Sequence, residues 1–338
     1  MIALPGVSRF RSTLHPDGFH GQHAAPPYFE GWYVKLVSAD RSARLAVIPG
    51  VFMGQGGSPD EPALDEAFVQ VLDGSSGRSW YHRYDPSEFH ADPDRFDVTV
   101  GGSHFDATGV TLDLPNFTGR VDFTTALDPW PVSVRSPGVM GWYAWMPFME
   151  CYHGVCSFGH SLEGTLTLDG VPQVFDSGRG YLEKDWGQAF PAGYVWMHSN
   201  HFTDPTTSLM GSVALIPWLR SEFRGFLVGL RHRGTLHTFA TYTGASTTLF
   251  EIDDEQVRWS LRSRNGMTLH LVADRVHGTL LHAPIRTEMH KRVEETLDAT
   301  IGIRLVDRSG AVLLDDVGTV GGLEVHGDLG RLVATKGK

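Results

Sequence analysis

The stretch YFEGWYVKLVSADRSARLAVIPG, residues 28–50, decides the fold of this chain. Two runs rich in aromatic and β-branched residues flank a polar turn, a pattern typical of two paired β-strands. A similar stretch, WMHSNHFTDPTTSLMGSVALIPW, occupies residues 196–218, and both stretches end in Ile-Pro. The second stretch begins 168 residues after the first, close to half the length of the chain. The sequence therefore indicates an internal repeat.

Other segments extend this interpretation to the whole chain. The segment GYLEKD at residues 180–185 is echoed by GGLEVHGD at residues 321–328. Residues 293–305 alternate apolar and polar side chains, and Asn265-Gly266 separates two further alternating runs, which indicates a hairpin. We therefore predict an all-β fold of two tandem lipocalin-like antiparallel β-barrel domains, residues 1–187 and 188–338. Barrels of this kind remove free sheet edges and can hold a small apolar ligand.

The composition limits the class of partner. The chain has 338 residues, is 41% hydrophobic, and carries a net charge of −11, which disfavours binding to nucleic acid and to anionic lipids. No apolar run approaches the roughly 20 residues of a transmembrane helix, and the start of the chain lacks the pattern of a secretory signal. We expect a cytoplasmic protein whose partner is an apolar small molecule, with no transmembrane segment and at most transient contact with a membrane surface.

The cysteines and histidines do not predict a metal site. Cys151 and Cys156 are expected to be reduced, packed thiols, because C-x4-C alone is a weak zinc motif. His15, His20 and His23 flank a segment rich in proline and glycine, but their spacing is poor for metal ligands. We expect no metal and interpret this segment as a loop or lid over a barrel mouth.

The alternation of side chains along a strand groups the candidate site residues. Tyr28, Glu30 and Trp32 share one face of the first strand. The internal repeat places His198, with Trp196 and Asn200 beside it, on the equivalent face of the second copy. An aromatic wall with a few polar groups is typical of a small-molecule site. The alternative is that Glu30 and His198 point into water while the aromatic residues form the core.

The segment GYLEKDWG, residues 180–187, places charges on both sides of one strand. Lys184 lies on one side with Leu182 and Trp186, whereas Asp185 lies on the other with Tyr181 and Glu183. A buried charge must be paired, so Lys184 is expected to pair with Glu30 or Glu150. The alternative is a surface turn that ends at Gly187.

Three segments in order carry a resemblance to a known family. PYFEGWYVKLV, SPGVMGWYAWMPFMECYHGVCSFGHSLEGTL and GRGYLEKDWGQAFPAGYVWMHSNHF resemble the tocopherol cyclase family, over roughly residues 15–330. The resemblance implies two lipocalin-like domains, akin to the carotenoid hydratase group, and closure of a chromanol ring from a prenylated hydroquinone without a cofactor. Asp185 stands where the plant EKNWG motif has asparagine, and His198 stands where the plant pattern has glutamine.

This resemblance suggests acid-initiated cyclisation, or a related isomerisation, of a prenylated or otherwise apolar molecule. Asp185 or Glu30 would donate a proton to the alkene if burial raises its pKa, and His198 would accept the phenol proton. The alternatives are a non-catalytic carrier of an apolar ligand and a hydratase or lyase acting on an isoprenoid alkene. The residues expected to contact the substrate are Trp32, Tyr181, Lys184, Trp186, Phe190, Trp196 and Asn200.

Overall fold

The computed structural model describes residues 10–55, 64–218 and 220–335, and it forms antiparallel sheets as predicted. The chain divides into two compact units. The first unit comprises Met1–Phe190 and Leu281–Arg292, and the second comprises Pro191–Leu280 and Val293–Lys338. The first unit thus includes a short segment from the second half of the chain. The sequence pattern did not predict this exchange.

Twelve strands form the sheet of the first unit, in the order β4-β3-β2-β1-β14-β12-β9-β8-β7-β6-β5, with β13 paired to β12. The small strands β10 (Val132–Ser133) and β11 (Ser136–Pro137) pair separately. The bounds of the twelve are β1 (Tyr28–Val37), β2 (Arg44–Met53), β3 (Glu66–Asp73), β4 (Arg78–Tyr84), β5 (Phe89–Ala91), β6 (Asp97–Val100), β7 (Ser103–Asp106), β8 (Gly109–Asp113), β9 (Phe117–Phe123), β12 (Cys151–Leu168), β13 (Val171–Val174) and β14 (Gly178–Gly187).

Ten strands form the second sheet, in the order β18-β17-β16-β15-β24-β23-β21-β20-β19, with β22 paired to β23. Their bounds are β15 (Gly193–Ser199), β16 (Ser208–Trp218), β17 (Ser221–His232), β18 (Thr235–Ala240), β19 (Ser246–Ile252), β20 (Gln256–Arg262), β21 (Thr268–Asp274), β22 (Thr279–Pro284), β23 (Met289–Val306) and β24 (Val312–Gly327).

Helices are short throughout the described residues. The α-helix α1 (Leu329–Ala334) follows β24, and its first turn is capped by Asp328. Residues 10–13 are also helical, and 3-10 turns lie at Gly21–His23, Pro86–Glu88, Gly138–Trp145 and Thr241–Thr243. None of the helices in the described part of the chain is long and apolar enough to cross a membrane.

The predicted hairpin is confirmed, because Asn265-Gly266 lies between β20 and β21, which pair directly. A second hairpin has Asp169 and Gly170 between β12 and β13, with φ angles of 49° and 83°. Two successive left-handed residues match the right-handed twist of the flanking strands, and Asp-Gly adopts this conformation at low cost.

The internal repeat is confirmed in the connectivity of the sheets. In the first sheet, β1 lies between its hairpin partner β2 and β14, which carries GYLEKD. In the second, β15 lies between its partner β16 and β24, which carries GGLEVHGD. The two halves of the sequence therefore build related sheets, and each has its own apolar core.

The predicted equivalence of faces between the two copies is wrong. On β1 the core of the first unit contains Trp32 and Val34, which occupy even positions. On β15 the core of the second unit contains Val195 and Met197, which occupy odd positions. Because the offset of 168 is an even number, it matches Glu30, which lies on the face of β1 toward the core, with His198, which lies on the face of β15 away from the core. The true relation between these two strands requires an odd offset.

Candidate functional site

Strand β14 carries charged side chains on both of its faces, because alternate residues of a strand point in opposite directions. It pairs with β1 on one side and with β12 on the other. Lys184 points toward the core of the first unit, and Asp185 points to the opposite face. We call the groups around these two residues the inner cluster (His20, Tyr28, Glu30, Lys184) and the outer cluster (Cys151, His153, Tyr181, Glu183, Asp185).

The inner cluster is built on a fully buried ion pair. Lys184 Nζ lies 2.5 Å from Glu30 Oε1, and neither side chain has exposed surface. Lys184 also donates to the Gly18 carbonyl, and the Tyr28 hydroxyl donates to Glu30 Oε2. The structure thus selects Glu30 as the partner of Lys184, whereas Glu150 pairs with Arg286. Each buried charge is compensated, as burial requires.

His20 completes the inner cluster as a neutral ring. Burial and the neighbouring Lys184 charge hold the pKa of His20 below its usual value. Lys184 Nζ lies 2.8 Å from Nδ1 of His20, so the ammonium donates to that nitrogen. The proton of the neutral ring is then on Nε2, which donates to the Ser12 carbonyl at 3.0 Å. His20, one of the three histidines of the predicted lid, is therefore a hydrogen-bonding partner of Lys184 on β14.

Two tryptophans enclose the Lys184 ammonium. Its Nζ atom lies 4.6 Å from the ring centroid of Trp32 and 4.8 Å from that of Trp186. Both distances are within the range of cation–π attraction. Trp186 also stacks on His20, with ring centroids 4.2 Å apart. The aromatic residues of FEGWY and EKDWG therefore stabilise a buried cation inside the first unit.

The inner cluster does not contain a proton donor of the kind predicted. Burial alone would raise the pKa of Glu30, but the Lys184 and His20 groups outweigh it and hold the pKa below its usual value. Burial also lowers the pKa of Lys184, although Glu30 partly opposes this effect. Glu30 is therefore a carboxylate at neutral pH, and its pKa shifts opposite to the direction that an acid role needs.

The outer cluster lies where β12 and β14 pair, with His153 directly opposite Asp185. His153 Nδ1 lies 2.7 Å from Asp185 Oδ1, and His153 Nε2 lies 3.3 Å from Glu183 Oε2. Tyr181 donates to Glu183 Oε2 at 2.5 Å, and Cys151 Sγ lies 3.9 Å from Asp185 Oδ1. One imidazole thus bridges two carboxylates on the neighbouring strand.

The histidine of this cluster is positively charged. Burial alone would lower the pKa of His153, but Asp185 and Glu183 outweigh it and raise the pKa to about 10. Burial and the nearby carboxylates raise the pKa of Cys151, so its thiol stays protonated. The exposed fraction of the side chain is 30% for Asp185 but only 4% for Glu183. Asp185 is therefore the member of the cluster that solvent or a ligand can reach.

An aromatic cluster adjoins Asp185 on the same face. Phe29 lies on β1 two residues before Gly31, the pairing partner of Asp185, and its ring contacts that of Phe190 at 5.3 Å. Cys151 contacts both this apolar cluster and Asp185. The buried members are Phe29, Phe52, Phe68 and Met289. The charged group thus lies at the margin of an apolar surface.

The outer cluster also has the composition of a metal site. Single ligand atoms of His153, Glu183 and Asp185 lie within 4.8 Å of one another. Imidazole and carboxylate groups suit several divalent metals. The sequence did not predict this group, since only the two cysteines and the N-terminal histidines were considered as metal ligands. In the described structure, His153 Nδ1 is hydrogen-bonded to Asp185, and the Tyr181 hydroxyl donates to Glu183.

The remaining predicted site residues belong to the second unit. His198 and Asn200 are buried on the face of β15 and its extension that is opposite to the core, as is Trp196. The rings of Trp196 and His198 are 6.5 Å apart. The structure therefore groups Glu30 with Lys184, Trp32 and Trp186, and Asp185 with Tyr181, within the first unit, and Trp196 with His198 within the second.

Three functional groups were not among the predicted site residues. His153 stands in CYHGVC, where only the thiols were considered, and the signal was its position between two cysteines on a strand. Tyr28 and His20 stand in recognised motifs but had no assigned role. Asp185 lies 32 residues from His153, and Lys184 lies 164 residues from His20, so only the folded structure reveals these two contacts.

Comparison with known proteins supports the resemblance seen in the sequence. A chloroplastic tocopherol cyclase of Zea mays is 24% identical over 381 residues, covering 94% of this chain and 78% of the plant protein. The crystal structure of CghA with Sch210972 aligns with a TM-score of 0.55 at 14% identity, covering 89% of both chains. Kievitone hydratase from Nectria haematococca aligns with a TM-score of 0.51 at 12% identity, covering 92% of this chain and 94% of that one.

These structural likenesses concern the fold, because the sequence identities are low. The family model described as tocopherol cyclase-like matches residues 123–327, which include β12, β14 and all strands of the second sheet. That range contains the outer cluster and Lys184, whereas His20, Tyr28 and Glu30 of the inner cluster precede it. The chain therefore belongs to the tocopherol cyclase-like family.

Proposed function

We propose that this protein is an enzyme that transfers a proton to an alkene of an apolar small molecule and so closes a ring or adds water. The observation that supports this is Asp185, a partly exposed carboxyl group that accepts a hydrogen bond from a buried imidazolium at the margin of an aromatic cluster. Membership of the tocopherol cyclase-like family favours cyclisation of a prenylated quinol over the other reactions.

Asp185 is the proposed acid and base. In the described residues, the hydrogen bonds from His153 and Cys151 both end on Oδ1, so Oδ2 is the oxygen that can face a substrate. Protonated Oδ2 gives its proton to one alkene carbon and leaves a tertiary cation on the other. The phenol oxygen then forms the C–O bond, and its proton returns to Asp185. No atom is gained or lost, so no cofactor is needed.

The partners of Asp185 fix the position of its carboxyl group. His153 is positively charged and cannot act as the base, because it already carries both ring protons. The imidazolium lies between the carboxyl groups of Glu183 and Asp185, and a buried charge needs such partners. Glu183 is thus the counter-ion of His153, and the hydroxyl of Tyr181 holds it in position.

The other predicted residues have different proposed roles. Phe190 and Phe29 would contact the apolar part of the substrate, because they lie on the same face as Asp185. Lys184, Trp32 and Trp186 would fix β14 from the inner side and would not touch the substrate. His198, Trp196 and Asn200 keep the substrate-binding or catalytic roles predicted from sequence as proposals. A cytoplasmic location is likewise a proposal.

The architecture has a finer proposal of its own. We infer that each sheet is a lipocalin-like barrel, since each has one apolar face enclosing its own core. Among the described residues, β4 does not pair with β5 and β18 does not pair with β19, so closure of either sheet stays a prediction. The predicted domain boundary after residue 187 also stays a prediction.

The test is turnover of a prenylated hydroquinone by the wild type and by Asp185→Asn. We expect Asp185→Asn to lower kcat by about 10²–10⁴-fold, the usual contribution of general acid–base catalysis. Asp122→Asn, on the exposed face of β9, is the matched control and should retain full activity. A product of unchanged mass indicates cyclisation, and a gain of one water indicates hydration. Substrate that binds and returns unchanged from the wild type would instead identify a carrier.

A further inference from the structure

The first unit carries an exposed aromatic surface that the proposed reaction does not use. Trp142 and Phe148 lie on it, in the segment between β11 and β12, and Phe10 lies beside them. Among the described residues, these are the three most exposed aromatic side chains, with exposed fractions of 40% for Trp142, 46% for Phe148 and 49% for Phe10. Val134, at 57%, adds to the same surface. Exposed aromatic residues concentrated in one place usually mark an interaction site.

Contacts and position in the sequence together define this surface. The ring of Phe10 stacks on that of Trp145 at a centroid distance of 5.2 Å. Trp145 Nε1 donates to the Val134 carbonyl at 3.0 Å, which ties the 3-10 turn at Gly138–Trp145 to the turn between β10 and β11. Trp142 in turn stacks on Tyr143 at 4.1 Å. We call Phe10, Val134, Trp142, Trp145 and Phe148 the aromatic surface.

Charge distinguishes this surface from the rest of the chain. The protein has a net charge of −11, but residues 129–149 contain no aspartate or glutamate and one basic residue, Arg135. A segment without carboxylates is not repelled by lipid phosphates, whereas most of this acidic chain would be. Tryptophan, tyrosine and phenylalanine are also the residues that favour the boundary between lipid tails and headgroups.

The aromatic surface lies in the segment that leads into β12. Phe148 precedes His153 by five residues, and the chain between them enters β12. The Tyr152 hydroxyl donates to the Met146 carbonyl, and its ring stacks on Trp186 at 5.5 Å on the inner side of β14. The segment with the aromatic surface is therefore attached to the strand pair β12 and β14, which carries the outer cluster and Lys184.

We propose that the aromatic surface docks on the surface of a zwitterionic lipid bilayer. Docking places Trp142 and Phe148 among the headgroups and gives the protein access to amphiphilic molecules that partition into membranes. Because the attraction is apolar, it does not depend on anionic lipid or on ionic strength. This inference goes beyond the proposed reaction and does not rest on it, since binding to lipid can be measured without turnover.

The experiment is sedimentation of the full chain with phosphatidylcholine vesicles. We expect the wild type to bind and the double variant W142A/F148A to bind about tenfold more weakly, because two large apolar side chains leave the lipid. The matched control, V171S/V174S, removes apolar side chains that are at least as exposed on another hairpin of the same unit and should bind like the wild type. Binding should persist in high salt.

A second measurement separates insertion from a general effect on folding. W142F keeps an aromatic side chain at this position, so it should bind vesicles like the wild type but lose part of the quenching of tryptophan fluorescence by brominated lipid. Wild-type protein that stays in the supernatant, or W142A/F148A that binds normally, would overturn the proposal. So would binding only to vesicles with phosphatidylserine, or a dimer in the absence of lipid that W142A/F148A abolishes.

Discussion

Glu30 and Asp185 are carboxylates on neighbouring strands, and their surroundings give them different chemistry. Glu30 is fully buried and receives hydrogen bonds from Tyr28 and from the His20 backbone, in addition to its ion pair with Lys184. Asp185 keeps part of its side chain exposed and shares one oxygen with His153. The first arrangement stabilises a buried charge, whereas the second leaves one carboxyl oxygen accessible to a substrate.

Removing the Glu30 charge should destabilise the first unit strongly. In Glu30→Gln the Lys184 ammonium stays buried without a counter-ion, and breaking such a pair costs about 3–5 kcal/mol. The free energy of unfolding in urea, followed by tryptophan fluorescence, measures this loss. The double variant Glu30→Gln/Lys184→Met should recover most of it, because no charge is then buried. Arg120→Gln, which removes an exposed ion pair, should change stability by less than about 1 kcal/mol.

The charge on His153 predicts a dependence of stability on pH. Its pKa is about 10 in the folded protein and close to 6.5 in the unfolded chain. A raised pKa means that the folded state binds the proton more tightly, so the stabilisation is complete below pH 6.5 and is lost as the pH rises toward 10. The difference in unfolding free energy between the wild type and His153→Gln should therefore shrink over that range. A difference that stays constant from pH 6 to pH 10 would contradict the assigned charge.

At the scale of residues, the sequence predicted side-chain direction but not partners. Alternation along GYLEKDWG placed Lys184 and Asp185 on opposite faces, as the structure shows. The pairing of Lys184 with Glu30 was one of two predicted alternatives, because a buried charge needs a counter-ion whichever strand supplies it. His153 was missed because its position opposite Asp185 depends on the register of β12 against β14, and that register contains shifts elsewhere along the pair.

At the scale of elements, the segment before β1 is held by strand β14. The Gly18 carbonyl and His20 Nδ1 both accept from Lys184, and Trp32 Nε1 donates to the Asp17 carbonyl at 2.9 Å. Gly18 also lies so close to the Pro93 carbonyl that an added Cβ would come within 2.3 Å of it. The predicted lid is therefore a fixed cover over the inner cluster in the described structure.

Lys184→Met should loosen this cover. The variant loses the two hydrogen bonds from the ammonium to this segment and also leaves Glu30 buried without its counter-ion, while an apolar chain of similar length stays between the tryptophans. We expect backbone amides of residues 12–20 to exchange with deuterium at least about tenfold faster than in the wild type, and by a larger factor than amides elsewhere in the first unit, because this segment opens locally in addition to the loss of stability of the whole unit. Peptides from β12 and from the second unit report whether the rest of the fold is intact.

Arg11→Gln is the matched control for this segment. It removes an exposed ion pair with Asp94 and should leave exchange nearly unchanged, since such pairs contribute little. Equal exchange in Lys184→Met and the wild type would show that the cover is held by other contacts.

The internal repeat illustrates what a sequence pattern cannot specify about elements. Matching Ile48-Pro49 to Ile216-Pro217 aligned the second strands of the two hairpins well, and both β2 and β16 contribute odd positions to their cores. The side chains of the first strands, β1 and β15, alternate in opposite order, because the two hairpins have different numbers of residues between paired positions. A change of one residue reverses every side chain of a strand. Topology was therefore predictable from the repeat, whereas the face that carries His198 was not.

At the scale of the molecule, the two units are not two consecutive halves of the chain. The segment Leu281–Arg292 interrupts the second unit in sequence and belongs to the first. His282 stacks on Tyr81 at 4.1 Å, its backbone amide donates a hydrogen bond to Gln70 Oε1 at 2.8 Å, and Met289 packs in the aromatic cluster with Phe29. The first unit is therefore incomplete without these twelve residues.

A fragment of residues 1–190 should fold poorly for this reason. Without residues 281–292, the aromatic cluster beside Asp185 loses Met289, and Tyr81 loses the His282 ring that stacks on it. Exposed apolar surface of this kind promotes aggregation. We expect the fragment to bind a hydrophobic dye and to unfold at lower urea concentration than the first unit does in the full chain. Joining residues 281–292 to its end through a flexible linker should reverse both effects. The same linker joined to a scrambled segment is the control, and a fragment that is equally stable with either would show that residues 1–190 suffice.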